Sequence, residues 1–249
     1  MTVLSRVVVV PEPPLLVPQL ATGATAETAD LRAACIDAVS RLRAATSEWI
    51  VVGADAGGRA TIGPGTRGSF IGFGADLVVG LGTAADGPVD RDLPLPLLIA
   101  GWLAAQVAPG ARLRGELVAP DAAAADCAAL GAALAAECAA RPEPVGLLVV
   151  GDGAATHTAK APGYLDERAG PFDVAVAAAL RDADPAGLAA LDPELASALL
   201  ASGRAPWQVL ASAATCGVDG GAWQGELLHS SLPFGVAYHV AEWTPCPNR

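Results

Sequence analysis

Histidine is nearly missing from this chain: His157, His229 and His239 are the only three in 249 residues. Chemistry that gathers several imidazoles around one metal has little to draw on. Basic residues are also few, with Lys+Arg at 15 against Asp+Glu at 26 and a formal net charge of −11. Nucleic-acid binding needs clustered cations, and the nearest grouping, Arg32, Arg41 and Arg43, reads as the solvated face of a helix. No nucleic-acid partner is expected. The five cysteines (Cys35, Cys127, Cys138, Cys216, Cys246) are odd in number, far apart and never spaced CxxC. A disulfide framework or a zinc knuckle would look different. Cys35, Cys127 and Cys138 fall in Ala-rich helical stretches as small buried thiols, and a reducing cytoplasm suits them. The N-terminal residues lack a signal peptide's basic start, long apolar core and small-residue cleavage site. The longest apolar run, Leu93 to Val107, is interrupted by Pro94 and Pro96 and falls short of the roughly 18 to 20 residues of a membrane span. It reads as a buried helix of a soluble protein, with no membrane partner.

The apolar fraction is nevertheless 53%, much of it alanine, with aromatics only 4%. Ala-rich segments favour helix because little side-chain entropy is lost. Strand and helix signals alternate. Val3 to Val10 is a β-branched run halted by Pro11-Glu12-Pro13-Pro14, a buried strand that enters a rigid loop. Ala26 to Ala45 has helical spacing at Leu31, Ala34, Cys35, Ala38, Val39 and Leu42. Trp49 to Gly53 predicts a second strand, Asp55 to Gly74 a long glycine-rich connection, and Leu77 to Leu81 a third strand. A helix near Leu95 to Val107 and a strand at Arg112 to Ala119 follow. Next comes an Ala-rich helix, N-capped by Asp121, that reaches about Ala140. Val145 to Gly151 is a strong central strand that opens into Asp152-Gly153. Helices follow from Phe172 to Arg181 and through Leu210, and closing strands near Glu226 to Ser230 and Gly235 to Trp243.

This alternation predicts an α/β fold spanning residues 1–249 as one domain, with a central mixed, largely parallel sheet and helices on both faces. Ligands of such sheets bind beyond the carboxyl ends of the strands. The informative segments are therefore Pro11 to Pro14, Gly53 to Gly58 and Gly151 to Thr158. Other chemistries lack their motifs. There is no Gly-x-Ser-x-Gly elbow and no Gly-Lys-Ser/Thr after the glycines at 63–74, and Gly80-Leu81-Gly82 lacks the rest of GxGxxG. Lys160 and Arg168 read either as binders of an anionic ligand or as routine surface cations.

Four segments, in order, resemble the class III extradiol ring-cleaving dioxygenase and Memo superfamily, which includes the protocatechuate 4,5-dioxygenase catalytic subunit. They are VVVVPEPPLLVPQL (Val7 to Leu20), WIVVGAD (Trp49 to Asp55), GDGAATHTAKAPGYLDERAGPFD (Gly151 to Asp173) and ELLHSSLPFGVAYHVAEW (Glu226 to Trp243). With LPLPLLIAGWL (Leu93 to Leu103) they cover most of the chain. The resemblance implies an Fe(II) site of two histidines and one carboxylate, with a further histidine as acid and base. At the two histidine-ligand positions this chain has Glu12 and Asp55. At the acid/base position it has Ala155, and the third ligand maps near Glu226 or His229.

Two classes of function follow. One is an enzyme of the dioxygenase type with altered metal-dependent chemistry. The other is a non-catalytic module on the same fold that binds a small molecule or a protein; self-association is open in either case. Glu12, Asp55 and Glu226 together would form a hard oxygen site suited to Mg2+, Mn2+ or Ca2+ rather than Fe(II). Alternatively, Glu12 is an ordinary exposed carboxylate. His157, two residues beyond the acid/base position, is the candidate catalytic group, with Asp152 either orienting its ring or bonding its own loop. His229 and His239 read as structural, and catechol cleavage is not expected.

Overall fold

The computed structural model describes residues 4–21, 23, 25–83, 86–216 and 222–246. Its spine is a seven-stranded sheet. Three parallel strands carry the strongest apolar runs: β1 (Leu4–Val10), β2 (Glu48–Ala54) and β8 (Val145–Val150). β7 (Arg112–Val118) extends the parallel set beyond β2. The short β3 (Ala60–Ile62) caps that edge in the antiparallel sense, and the hairpin of β9 (Trp223–Ser231) and β10 (Tyr238–Pro245) closes the other beside β1. The full order is β3-β7-β2-β8-β1-β10-β9. The single α/β domain with its mixed, centrally parallel sheet is as expected.

The valine run of β1 has no polar face because both faces are covered. Val7 and Val9 look into one core and Val8 and Val10 into the other. Helices α1 (Ala29–Ala45) and α2 (Leu95–Val107) cover the second face, with Leu31, Leu42, Leu97 and Leu103 fully or almost fully buried. The first face carries α3 (Ala124–Ala139), α4 (Ala169–Arg181), the short α5 (Pro185–Ala189) and α6 (Pro193–Ala198), and α7 (Arg204–Cys216). Asp184 and Asp192 start α5 and α6 by accepting backbone N–H groups of the first turn. Gly53 lets β2 approach α2, since a Cβ there would overlap Pro96.

Several boundaries moved. The glycine-rich connection contains β3 and β4 (Arg67–Ser69). The strand expected at Leu77 to Leu81 shrinks to β5 (Val78–Gly80) and pairs with β4, not with the central sheet. β6 (Val89–Asp90) completes that three-stranded sheet. Asp121 does not cap α3: the helix begins after Ala123, with no side-chain cap. Arg41 is no simple solvated cation either, because it bridges Asp37, Glu226 and Glu242. Cys35, Cys127 and Cys138 are buried thiols, and all five cysteines are free. Among the described residues no helix is long and apolar enough to cross a membrane.

Candidate functional site

β1 and β8 run in register to their carboxyl ends, where the Gly151 N–H donates to the Val10 carbonyl at 3.1 Å. Glu12 and Asp152, each two residues past its strand, therefore meet. The Glu12 N–H donates to Asp152 Oδ1 at 2.7 Å. The Ser202 hydroxyl donates to Glu12 Oε1 at 2.8 Å and accepts the Asp152 N–H at 3.0 Å. The neighbouring Gly203 N–H donates to the Asp152 carbonyl at 2.8 Å. This stitching needs close backbone approach, and a Cβ on Gly151 would strike Gly203.

Glu12 is buried, contrary to the reading of an exposed loop carboxylate. Its Oε2 is enclosed without a hydrogen-bond partner. Burial pushes its pKa upward, and the nearby charges of Asp152 and Asp55 push the same way against the Ser202 hydrogen bond. Burial raises Asp152 as well, opposed only by the Glu12 N–H. The two carboxyls hold protons well above the usual carboxylate range. Asp152 also helps to raise the thiol of Cys35 and the phenol of Tyr238, for which burial is the main cause. Asp55 lies beyond the end of β2, where its Oδ2 accepts the Gly57 N–H at 2.7 Å in a tight local turn.

A second polar cluster lies on the face covered by α4 and α7. Asp173, buried in α4 between Phe172 and Val176, accepts the Ala154 N–H at both oxygens, at 3.2 and 3.3 Å. His157 Nε2 lies 2.5 Å from Asp173 Oδ2, and His239 Nε2 lies 3.4 Å from Oδ1. His239 Nδ1 is in turn 3.1 Å from the Ser230 hydroxyl, and the ring tilts against Trp207 at 6.4 Å. The loop that carries His157 is pinned on several sides. The His157 N–H donates to the Gly235 carbonyl, Ala155 N–H to Leu199, and Asp166 N–H to Thr156.

Glu12 and Asp55 thus share one edge of the sheet, while Glu226 is engaged elsewhere. It lies on the edge strand β9, 61% exposed, with its carboxylate accepting from Arg41 at 3.0 Å beside Glu242. The strand pairing sets this apart: Glu226 faces Glu242, which faces Val8, well short of the strand end. His157 is held by Asp173, not by Asp152. Arg168 pairs with Asp166 at 2.6 Å on the surface. Sequence reasoning missed Asp173, His239, Ser202 and Ser230 as members of polar clusters. Asp173 reads as one polar residue on a helix face, and its partners come from the loop after β8 and from β10, 66 residues along the chain.

The donor set does not fit the iron that the resemblance implies. Ala155 offers no ligand atom, Glu12 is a raised and buried carboxyl, and Asp55 is bonded to its own turn. Among the described residues no three His, Cys, Asp or Glu side chains group so as to hold a metal ion. A cavity of about 250 Å3 lined by Pro120, Asp121, Ala196, Leu200 and Ala201 reaches Ser202, hence the carboxyl pair behind it. A larger concavity, about 590 Å3, opens between Arg43, Glu48, Arg141 and Pro144, at the opposite, amino ends of β2 and β8.

No family model matches the chain, and no curated protein does. Among solved structures it is similar to that of an uncharacterized protein from Escherichia coli K12. Identity is 12% over 96% of this chain and 99% of that one, with a TM-score of 0.49.

Proposed function

We propose that this chain is a class III extradiol dioxygenase-like protein that does not cleave catechols and instead uses its strand-end cleft as an acid–base site for a small molecule. One observation carries this reading: the Glu12 N–H donates to Asp152 Oδ1, Glu12 is buried with its Oε2 unpartnered, and both carboxyls are pushed upward in pKa. The charge of Asp152 opposes ionisation of Glu12, so the pair retains a proton it can give or share. Ser202 links the pair to the cavity beside Leu200 and Ala201. In this reading the pair supplies the proton and Ser202 relays it to whatever occupies the cavity.

The test has two arms. After anaerobic Fe(II) reconstitution, catechol and protocatechuate should give no ring-opening absorbance. The carbonyl stretch of a protonated carboxylic acid should be visible by infrared difference spectroscopy near neutral pH, and Glu12→Gln should remove it. A ring-opened product at an enzymatic rate, or a neutral-pH spectrum without that band, would sink the proposal.

A second reading, a binding module on the same scaffold, is favoured by exposed apolar side chains near the cleft. Tyr164, Leu200 and Phe234 all have positive φ, at 61, 55 and 58°, and all are exposed. Non-glycine residues held in that region carry strain of about 1–3 kcal/mol each, which clusters at functional surfaces. A cytoplasmic setting suits the five free thiols.

A further inference from the structure

We propose that Ser230, His239 and Asp173 form a nucleophilic relay that hydrolyses small uncharged esters, a site separate from the Glu12–Asp152 pair. The geometry supplies each part. Ser230 is exposed at the penultimate position of β9, directly across from His239 on β10. Paired residues of antiparallel strands share a face, and the Ser230 hydroxyl lies 3.1 Å from His239 Nδ1. On the other side of the ring, Nε2 meets Asp173 at 3.4 Å. A carboxylate only accepts, so it places the imidazole proton on Nε2 and leaves Nδ1 to accept from the serine. That is the order nucleophile, base, orienting acid which activates a serine on unrelated folds. His239 is buried and braced by Trp207, and Asp173 is fixed by the Ala154 N–H and by His157. The base therefore cannot swing away from the serine.

The surroundings name the substrate class. Leu232 and Phe234 lie within four residues of Ser230 and are 53% and 50% exposed, which offers an apolar surface close in the chain to the serine. Phe234 holds its place on left-handed backbone. The chain's net charge of −11 disfavours anionic substrates. An ester with a short apolar acyl group fits both.

The reaction balances without a cofactor. Ser230 Oγ attacks the ester carbonyl carbon, and its proton passes to His239 Nδ1. The carbon–oxygen bond to the alcohol breaks, and Nδ1 gives that proton to the departing oxygen, which leaves the acyl group on Ser230. Water then yields a proton to the same nitrogen and attacks the acyl carbon. The carboxylic acid leaves as the proton returns to Ser230.

The experiment combines para-nitrophenyl butyrate hydrolysis with fluorophosphonate labelling, the labelled residue being found by peptide mass spectrometry. The expected result is a label on Ser230, with labelling lost in Ser230→Ala and hydrolysis down about 100-fold or more there. Unchanged melting temperatures would show that this exposed substitution keeps the fold. His239→Gln should lower labelling with it. A wild-type protein that takes no label, a label on another serine, or hydrolysis unchanged in Ser230→Ala would each overturn the proposal. Because the labelling arm uses only the wild-type chain, it decides the question even if a variant fails to fold. Loss of the strand-end carboxyl signal would leave this outcome untouched.

Discussion

Two buried acidic centres lie within one loop of each other and are treated in opposite ways. Asp173 has both oxygens occupied, by the Ala154 N–H and by two histidine nitrogens. Glu12 and Asp152 receive one hydroxyl and one backbone N–H between their carboxyl oxygens, leave Glu12 Oε2 bare and lie next to each other. Glu12 and Asp173 are buried to a similar degree. What differs is the supply of donors, and this decides whether a buried carboxyl serves as an anchor for neighbours or as a store for protons.

The comparison breaks most sharply at Asp173. Asp173→Ala strands two imidazoles and a backbone N–H in a core, and should cost about 3–5 kcal/mol in a urea melt. A cost below about 1 kcal/mol would mean that those contacts are incidental.

Glu12→Gln should act in the other direction. Folding raises the proton affinity of Glu12. Once the pH passes the ordinary carboxylate range, the unfolded chain has released a proton that the folded state still holds. The stability linked to this group is therefore full at lower pH and falls as the pH climbs toward the raised value. Glu12→Gln should flatten that decline and gain about 1–3 kcal/mol at mildly alkaline pH, with little change at pH 4. Parallel wild-type and variant stability–pH curves would contradict the upward shift.

Ser202→Ala sharpens the contrast more gently. It removes the hydroxyl that donates to Glu12 and accepts from Asp152, for about 1 kcal/mol, and should weaken any ligand taken up beside Leu200. The smallest effect belongs to Glu226→Gln. This exposed partner of Arg41 should cost less than about 1 kcal/mol and leave the divalent-metal content of purified protein unchanged.

The layered fold was legible because its signals are local. The valines of β1 and β8 announce strands buried on both faces, the 3.6-residue spacing of α1 survives in the structure, and the apolar run of α2 is buried along most of its length. The small β4–β5–β6 sheet was not, since strands of two or three residues carry almost no periodic signal. Glu12 and Asp55 lie just past the ends of β1 and β2, and His157 lies in the loop that follows β8, positions visible from the rule for parallel sheets. The place of Glu226 was not visible, because the register of the closing hairpin, which sets its height on the sheet, depends on pairing with a distant strand. Asp173 and Ser202 needed contacts across 16 and 190 residues of chain to mean anything.

The position of β1 also shapes how the molecule comes to exist. Val7 has no strand neighbour until Leu147 and Trp243 have been made. On a ribosome, the most aggregation-prone stretch of the chain would wait unpaired while more than half of the protein is synthesised. Contacts so far apart in sequence make for slow folding. Expression yield should therefore respond more to translation speed and to chaperones that shield Val7 to Val10 than to any change in the clusters it helps to build.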